Sequence, residues 1–292
     1  MGRENKLLII FGFNIFLMFL EVAGALWSGS LALLSDAGHM FTDSFAVLLS
    51  FLAIQWSKKE ATEKMTFGYH RLEIIAALVN GILLLLVCVF IFYEAVNRFI
   101  NPVKIKADIM LYVALIGLAG NIIGMIILSK EGRENLNIRS VFFHVMGDLL
   151  SSVGVLIGGV IILFTRWNLI DSLLCLIIGG VVLRSAINLI FESGEILLEA
   201  VPRDVDLNAI RKKVEGLKGV REFHDVHAWT ITSGRRALSA HVLTDNVSVR
   251  ESQEILSRIR NLLSEDFDIG HSTLEVECDE CENVCVQPGR KE

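Results

Sequence analysis

Residues 33–50 read LLSDAGHMFTDSFAVLLS, a stretch apolar enough for a membrane helix that nevertheless contains Asp36, His39 and Asp43. At 3.6 residues per turn, these three side chains share one face of the helix. His39 and Asp43 are one turn apart, so both can reach a single point. A carboxylate near the middle of a bilayer costs at least about 2.5 kcal/mol on insertion scales. A bound cation would repay that cost, because it turns an unpaired charge into a coordinated one.

The same arrangement recurs farther along the chain. Residues 141–155 read VFFHVMGDLLSSVGV, in which His144 and Asp148 lie four positions apart in an apolar helix. Together the two helices offer two imidazoles and two carboxylates, a complete tetrahedral set for a divalent metal such as Zn²⁺. Mg²⁺ or Ca²⁺ would want more oxygen ligands. The alternative interpretation is a structural hydrogen-bonded network of the same four side chains.

The composition indicates a membrane protein with a soluble part. The chain of 292 residues is 53% hydrophobic and its mean hydropathy is positive, which is too apolar for an ordinary soluble protein of this size. The apolar excess lies before about residue 198. We therefore predict a transmembrane domain over residues 1–198 and a cytoplasmic C-terminal domain over residues 199–292. The net charge of −6 says nothing about nucleic acid, but the sequence has no basic stripe, so no nucleic-acid partner is expected.

The transmembrane domain is predicted to be an all-α bundle of six helices. Six apolar runs are long enough to cross a bilayer, near residues 7–27, 32–56, 72–98, 108–129, 139–165 and 170–192. Lysines and arginines are more numerous in the loops that share a side with the N terminus. The positive-inside rule then places the N and C termini in the cytoplasm.

Polar residues within the apolar runs also carry expectations. Glu21 and Asn121 are predicted to make hydrogen bonds between helices, although Glu21 could instead line an aqueous path. Asp171, at the start of the sixth run, is predicted to cap that helix.

The C-terminal domain is predicted to be a small two-layer α+β fold. Its segments follow the order α-β-β-α-β, similar to ferredoxin-like metallochaperones, with the two strands 220–232 and 237–244 joined by a short turn. A domain of this size buries a modest core, so we expect a partner subunit to help stabilise it. Three cysteines follow as Cys278-x-x-Cys281-x-x-x-Cys285. This spacing suits a metal better than a disulfide framework, and reduced, unliganded thiols are the alternative.

Several longer motifs resemble a known family. They read GSLALLSDAGHMFTD from Gly29 to Asp43, FGYHRLE from Phe67 to Glu73, His144-x-x-x-Asp148, HDVHAW from His224 to Trp229, and SAH from Ser239 to His241. With these motifs the chain resembles the cation diffusion facilitators, specifically their zinc-transporter branch, over nearly its whole length.

The resemblance implies a homodimer in the lipid bilayer that exports Zn²⁺ from the cytoplasm by alternating access, with protons as the counter-ion. It assigns the transport site to His39, Asp43, His144 and Asp148. A histidine at the first position is associated in this family with a preference for zinc, and Cd²⁺ and Co²⁺ are possible further substrates. Zinc ligands must be deprotonated, so metal release and proton uptake are expected to be coupled.

Two departures from the family pattern limit the number of metal sites and the type of membrane that we expect. The loop after the second helix lacks the acidic and histidine residues of a second metal site, so none is predicted there. The histidine-rich loop of many eukaryotic members is also missing, which favours a prokaryotic inner (plasma) membrane.

The family also implies a metal site in the cytoplasmic domain. His224, His241 and His271 match positions that bind metal in some members. Cys278 falls where a carboxylate ligand can occur, and Cys281 and Cys285 resemble the cysteine tail of some eukaryotic members. His227, beside Trp229, is interpreted as a residue of the fold.

The sequence thus predicts a Zn²⁺/proton antiporter. A membrane metal sensor or receptor with a zinc-binding cytoplasmic domain is the alternative, although the membrane ligands would then have no task. An enzyme is not expected, because the chain has no His-Glu-x-x-His motif and four protein ligands leave no open position on the metal.

Overall fold

The structure, a computed structural model, describes residues 3–57, 59, 61–129 and 136–278. The side chains of residues 3–11, 50, 54, 124, 127–129 and 136–145 lie outside this description. The chain forms two compact units. The first comprises Met1–Leu52 with Ala76–Ile190, and the second Ala53–Ile75 with Phe191–Glu292.

Long apolar helices form the first part of the described chain. They are α1 (Arg3–Ser28), α2 (Leu31–Ser57), α3 (Leu72–Ile100), α4 (Ala107–Ser129), α5 (Leu136–Thr165) and α6 (Leu169–Leu197). These helices and the α+β domain that follows them confirm the predicted fold class.

Four helical segments are long and apolar enough to cross a membrane within the part of the chain that the structure describes. They are Leu31–Ser57, Leu72–Ile100, Met146–Thr165 and Leu169–Leu197, and shorter apolar helices cover Gly12–Ser28 and Ala107–Ile123. Large apolar side chains such as Phe90 and Phe164 are more than half exposed on these helices. In a protein of this composition, such surfaces are suited to contact with lipid.

Small residues let α4 approach α1 closely. A Cβ atom on Gly117 would lie 2.5 Å from Glu21 Oε1, and one on Gly120 would meet Leu17 Cδ1. A side chain at either position would therefore force Glu21 or Leu17 of α1 to move. Helix α4 also packs against α5 through a core that includes Met110, Ala114 and Val155.

The carboxylate of Asp171 caps the N terminus of α2, not that of its own helix. Its Oδ2 accepts the Leu31 N–H at 2.6 Å, and its Oδ1 accepts Ser30 Oγ at 2.6 Å and the Ala32 N–H at 3.3 Å. Arg98 Nη1 lies 3.7 Å from Asp171 Oδ2 and compensates the buried charge. The prediction that Asp171 caps α6 was wrong because the local rule considers only the helix that contains the residue.

The second unit contains the short elements of the C-terminal region. They are α7 (Leu207–Glu215), β1 (Glu222–Thr232), β2 (Arg235–Leu243), α8 (Val249–Phe267) and β3 (His271–Glu277). The strands form one sheet in the order β1-β2-β3, with β1 and β2 antiparallel and β2 and β3 parallel. Helix α8 supplies the crossover that a parallel pair requires.

One apolar core joins the sheet to both short helices. It includes Ile210 of α7, Phe223 of β1, Leu238 of β2 and Ile259 of α8, each with no exposed surface. Helix α8 begins with a capping box, in which Ser248 and Glu251 each hydrogen-bond the backbone of the other. The hydrogen bonds from Ser248 hold the pKa of Glu251 below its ordinary value.

We expect Asp171→Ala to destabilise the protein by about 2 kcal/mol, because the change removes the acceptor of the Leu31 and Ala32 N–H groups and of Ser30 Oγ at the start of α2. Thermal unfolding of the purified full chain in detergent measures this as a lower midpoint. Asp108→Ala, which removes an exposed carboxylate in the first turn of α4, serves as the control and should change the midpoint little. An equal midpoint for both variants would contradict the assigned contact.

Candidate metal centres

The structure brings three of the four predicted membrane residues together. His39 and Asp43 lie on α2, and Asp148 lies on α5. His39 Nε2 is 3.5 Å from Asp43 Oδ2 and 3.4 Å from Asp148 Oδ1. The three side chains each offer a ligand atom within 4.8 Å of the others. A metal ion bound among these three atoms would meet one nitrogen and two oxygen ligands.

His144 is the fourth predicted residue, and its side chain lies outside the described part of the structure. Its backbone belongs to α5, one turn before Asp148. Residues four positions apart on a helix present their side chains on the same face. The backbone is therefore compatible with His144 as a fourth ligand, which stays a prediction.

The three side chains are neither sealed nor fully exposed. Between 19% and 33% of each side-chain surface is accessible. An ion could therefore reach the group, while most of its surroundings remain protein. Such partial burial strengthens the attraction of a cation to the two carboxylates relative to water.

A second layer of polar contacts lies one turn away from this group. Asp36 of α2 is buried and accepts hydrogen bonds from Ser151 Oγ at 2.8 Å and Ser152 Oγ at 3.4 Å, both on α5. Asn121 of α4 donates through Nδ2 to Ser152 Oγ at 3.0 Å. These bonds join α2, α4 and α5 beside His39, so they fix the helix faces that carry the candidate ligands.

The second group of candidate ligands lies on the sheet of the second unit. His224 and His241 are directly opposite each other on β1 and β2, and Glu277 ends β3. Glu277 Oε2 is 3.2 Å from His224 Nε2, and Glu277 Oε1 is 2.8 Å from His241 Nδ1. Within the described residues, these three and the membrane trio are the groups whose ligand atoms converge closely enough for a metal.

The hydrogen bonding of this group leaves atoms available to a metal. His224 Nδ1, His241 Nδ1 and Glu277 Oε2 are buried and make no well-aligned hydrogen bond, despite the short distances between them. Buried polar atoms are normally paired, so three such atoms within one group of side chains need an explanation. Two imidazole nitrogens and a carboxylate are a ligand set that suits Zn²⁺.

The carboxylate of Asp225 lies close to the rings of His227 and His241. Asp225 Oδ2 is 3.7 Å from His241 Nε2, and Asp225 Oδ1 is 3.0 Å from His227 Nε2. Asp225 has a positive φ of 49°, where the pairing of β1 with β2 shifts register between His224 and His227. This bulge turns the Asp225 carboxylate toward both rings. His227 contacts Asp225 rather than the His224–His241–Glu277 group, in line with its interpretation as a residue of the fold.

The other residues predicted for the cytoplasmic site lie elsewhere or outside the description. His271 begins β3, and its ring lies edge-on to Phe67 with a centroid distance of 5.8 Å. It lies six positions before Glu277 along the strand, which is about 20 Å, so it does not join the group within this chain. Cys278 is exposed directly after β3 and is not part of the group. Cys281 and Cys285 lie outside the described residues.

Sequence reasoning missed Glu277. The prediction chose the next residue, Cys278, for the position of a carboxylate ligand. Adjacent residues of a strand point to opposite faces of the sheet, so a shift of one position selects the wrong side. The signal was the alternation in residues 273–277, which places Glu275 and Glu277 on the same face as each other.

Two family models match the chain. The model described as "Cation efflux transmembrane domain" matches residues 7–198, and the model described as "Cation efflux protein, cytoplasmic domain" matches residues 202–278. The chain belongs to the cation efflux family. This confirms the resemblance to the cation diffusion facilitators and makes the protein a transporter of the inner membrane.

Relatives within the cation efflux family are similar over nearly the full chain. The metal cation efflux system protein CzcD of Cupriavidus metallidurans is 41% identical, over 97% of this chain and 89% of its own length. The cadmium, cobalt and zinc/H(+)-K(+) antiporter of Bacillus subtilis is 40% identical, over 94% of this chain and 90% of its own. The zinc transporter ZitB of Escherichia coli is 37% identical, over 96% and 89%.

Solved structures also match the chain, and one of them is similar to its C-terminal part. This structure is the metal-bound C-terminal domain of the CzcD transporter from C. metallidurans, 38% identical, with a TM-score of 0.23 over 25% of this chain and 99% of that chain.

We expect His241→Ala to weaken Zn²⁺ binding at the His224–His241–Glu277 group by about 100-fold, because it removes one of three converging ligands. Equilibrium dialysis of the full chain against Zn²⁺ measures this, in an Asp43→Ala background that removes the membrane site from the titration. His227→Ala is the matched control, since His227 contacts Asp225 outside the group. The assignment fails if the two histidine variants lose the same amount of zinc.

Proposed function

We propose that this protein exports Zn²⁺ from the cytoplasm in exchange for protons, by alternating access around a site between α2 and α5. The observation that carries the proposal is the convergence of His39, Asp43 and Asp148 from these two apolar helices. Charged side chains within membrane helices are costly and are typically found on substrate and ion pathways.

The ligand set favours zinc as the substrate. His39, Asp43 and Asp148, with His144 as the proposed fourth ligand, supply two nitrogens and two oxygens in the number that tetrahedral Zn²⁺ takes. Relatives named for zinc, cadmium and cobalt support divalent transition metals as the substrate class. We include Cd²⁺ and Co²⁺ as further substrates, because their preferences for imidazole and carboxylate overlap with those of zinc.

Proton exchange follows from the chemistry of the ligands. Imidazole binds zinc only in its neutral form and a carboxylate only when ionised, so a site that loads metal releases protons and a site that takes up protons releases metal. In alternating access, the site opens first to the cytoplasm and then to the exterior. The competition between zinc and protons for the same ligands would then exchange zinc for protons across the membrane. The Bacillus subtilis relative is named as an antiporter with protons and potassium.

We further propose a homodimer with both termini in the cytoplasm. The model that matches residues 202–278 carries the name of a dimer domain, and the small core of the second unit is consistent with stabilisation by a partner. The basic loops next to the N terminus support the orientation. In this arrangement the His224–His241–Glu277 group would sample cytoplasmic zinc.

A membrane sensor without transport is the weaker candidate. It would explain the ligands of the C-terminal sheet but would leave the intramembrane carboxylates without a role. Flux measurements separate the two functions directly.

We expect Asp43→Ala to lower zinc/proton exchange at least about tenfold, because it removes one carboxylate from the converging ligands. The measurement is zinc flux with simultaneous pH recording in sealed proteoliposomes under an imposed pH gradient. Ser44→Ala, the adjacent position on another side of α2, is the matched control and should transport like the parent. Zinc flux by the parent that ignores the pH gradient would refute the coupling.

We expect His39→Asp to relax the discrimination against harder metals, since it replaces a nitrogen ligand with an oxygen ligand. Competition assays in the same proteoliposomes give the inhibition of zinc flux by Mn²⁺. Stronger inhibition of the variant than of the parent is the expected result. Unchanged competition would mean that His39 does not set selectivity.

A further inference from the structure

One cavity in the second unit is lined by several cationic and imidazole side chains together with apolar and small residues. Its volume is about 560 Å³, within the range of small-molecule sites. It lies between the loop that follows α2, the turn that joins β1 to β2, and the start of β3. The charged and imidazole side chains around it are those of Lys59, His70, Arg235, Arg236, Asp268 and His271.

The charges of this cavity are incompletely compensated. Three permanent cations and a single carboxylate line it. Arg236 is held by Asp204 Oδ2 at 2.6 Å and by the Phe267 carbonyl at 3.2 Å. Within the described residues, Lys59 and Arg235 have no carboxylate partner. Lys59 Nζ instead lies 5.8 Å from the centre of the Trp56 ring.

Arg235 is oriented by a neutral group. Its Nη1 lies 2.9 Å from His70 Nε2. A guanidinium can only donate, so Nε2 accepts and is the unprotonated nitrogen of the ring. This hydrogen bond fixes the guanidinium without neutralising it, and the remaining N–H groups are left for an anion.

The other residues that line the cavity include glycines and apolar side chains. Gly68 and Gly234 both line the cavity, and both have φ near +71°, so a side chain there would be strained. Phe67 and Ile231 provide apolar surface, and Phe67 is held edge-on by the His271 ring. A ligand with one anionic group and an uncharged portion fits such a lining.

We propose that this cavity binds a phosphate group. A planar guanidinium with free N–H donors matches phosphate oxygens, and an adjacent ammonium adds a second point charge. The phosphate could belong to a soluble compound or to a lipid headgroup. Lys59 follows the end of α2 by two residues, so by chain connectivity the loop begins close to the depth at which anionic headgroups attract basic residues.

Thermal unfolding of the full chain in nanodiscs tests the proposal, because a ligand that binds the folded state raises the midpoint. The parent, Arg235→Gln and Lys59→Gln are compared in zinc-free buffer of constant ionic strength. Arg260→Gln, an exposed arginine of α8 outside the cavity, is the matched control. Lys59 is exposed in a loop, so its variant is informative even if Arg235→Gln disturbs the fold.

Two arms distinguish the sources of the phosphate. In the first, inorganic phosphate is added to nanodiscs of phosphatidylcholine alone. In the second, part of the phosphatidylcholine is replaced by phosphatidylglycerol and no phosphate is added. A soluble ligand raises the parent midpoint in the first arm only, whereas a headgroup raises it in the second.

We expect the half-maximal ligand concentration to increase about tenfold or more in Arg235→Gln and several-fold in Lys59→Gln, and to stay unchanged in Arg260→Gln. A parent midpoint that rises in neither arm overturns the proposal. So does a rise of equal size in the parent and in both cavity variants. Neither result bears on zinc transport, because no residue of this cavity belongs to the membrane site.

Discussion

The membrane domain depends on one electrostatic constraint, which is that two carboxylates and an imidazole share a small volume between apolar helices. His39 Nε2 lies almost equally far from Asp43 on its own helix and from Asp148 on α5. A cation placed between these groups would be attracted by both carboxylates. Occupation of this candidate site would therefore be linked to the relative position of α2 and α5, as the proposed carrier requires.

The sheet of the second unit also brings candidate metal ligands together, but it does so by strand pairing and not by helix packing. There the antiparallel pairing of β1 with β2 sets His224 against His241, and the parallel return of β3 adds Glu277 from the far side of His241. The ligands come from backbone registers that a small apolar core stabilises. Metal binding at this group would consequently stabilise the order of the three strands, just as folding prepares the ligands.

The sequence predicted those features that depend on local periodicity. The approach of His39 to Asp43 follows from their spacing on a helix, and the α-β-β-α-β order follows from alternating patterns. Contacts between distant elements were harder: the meeting of α2 with α5 was inferred from the repeated His-x-x-x-Asp spacing and from the family resemblance. Glu277 was missed because the register of β3 depends on its pairing with β2, and Asp171 was assigned to the wrong helix because its partners lie on α2. No local rule contains that information.

The attachment of Asp171 to the first turn of α2 has a mechanical consequence. Residues 30–32 donate three hydrogen bonds to this one carboxylate at the start of α6, and Arg98 of α3 also donates to the Gly29 carbonyl at 2.6 Å. Breaking these bonds inside a protein interior is expensive, so any tilt of α2 should carry the neighbouring ends of α3 and α6 with it. Helix α2, which carries His39 and Asp43, would then move relative to α5 together with the neighbouring ends of α3 and α6, rather than alone.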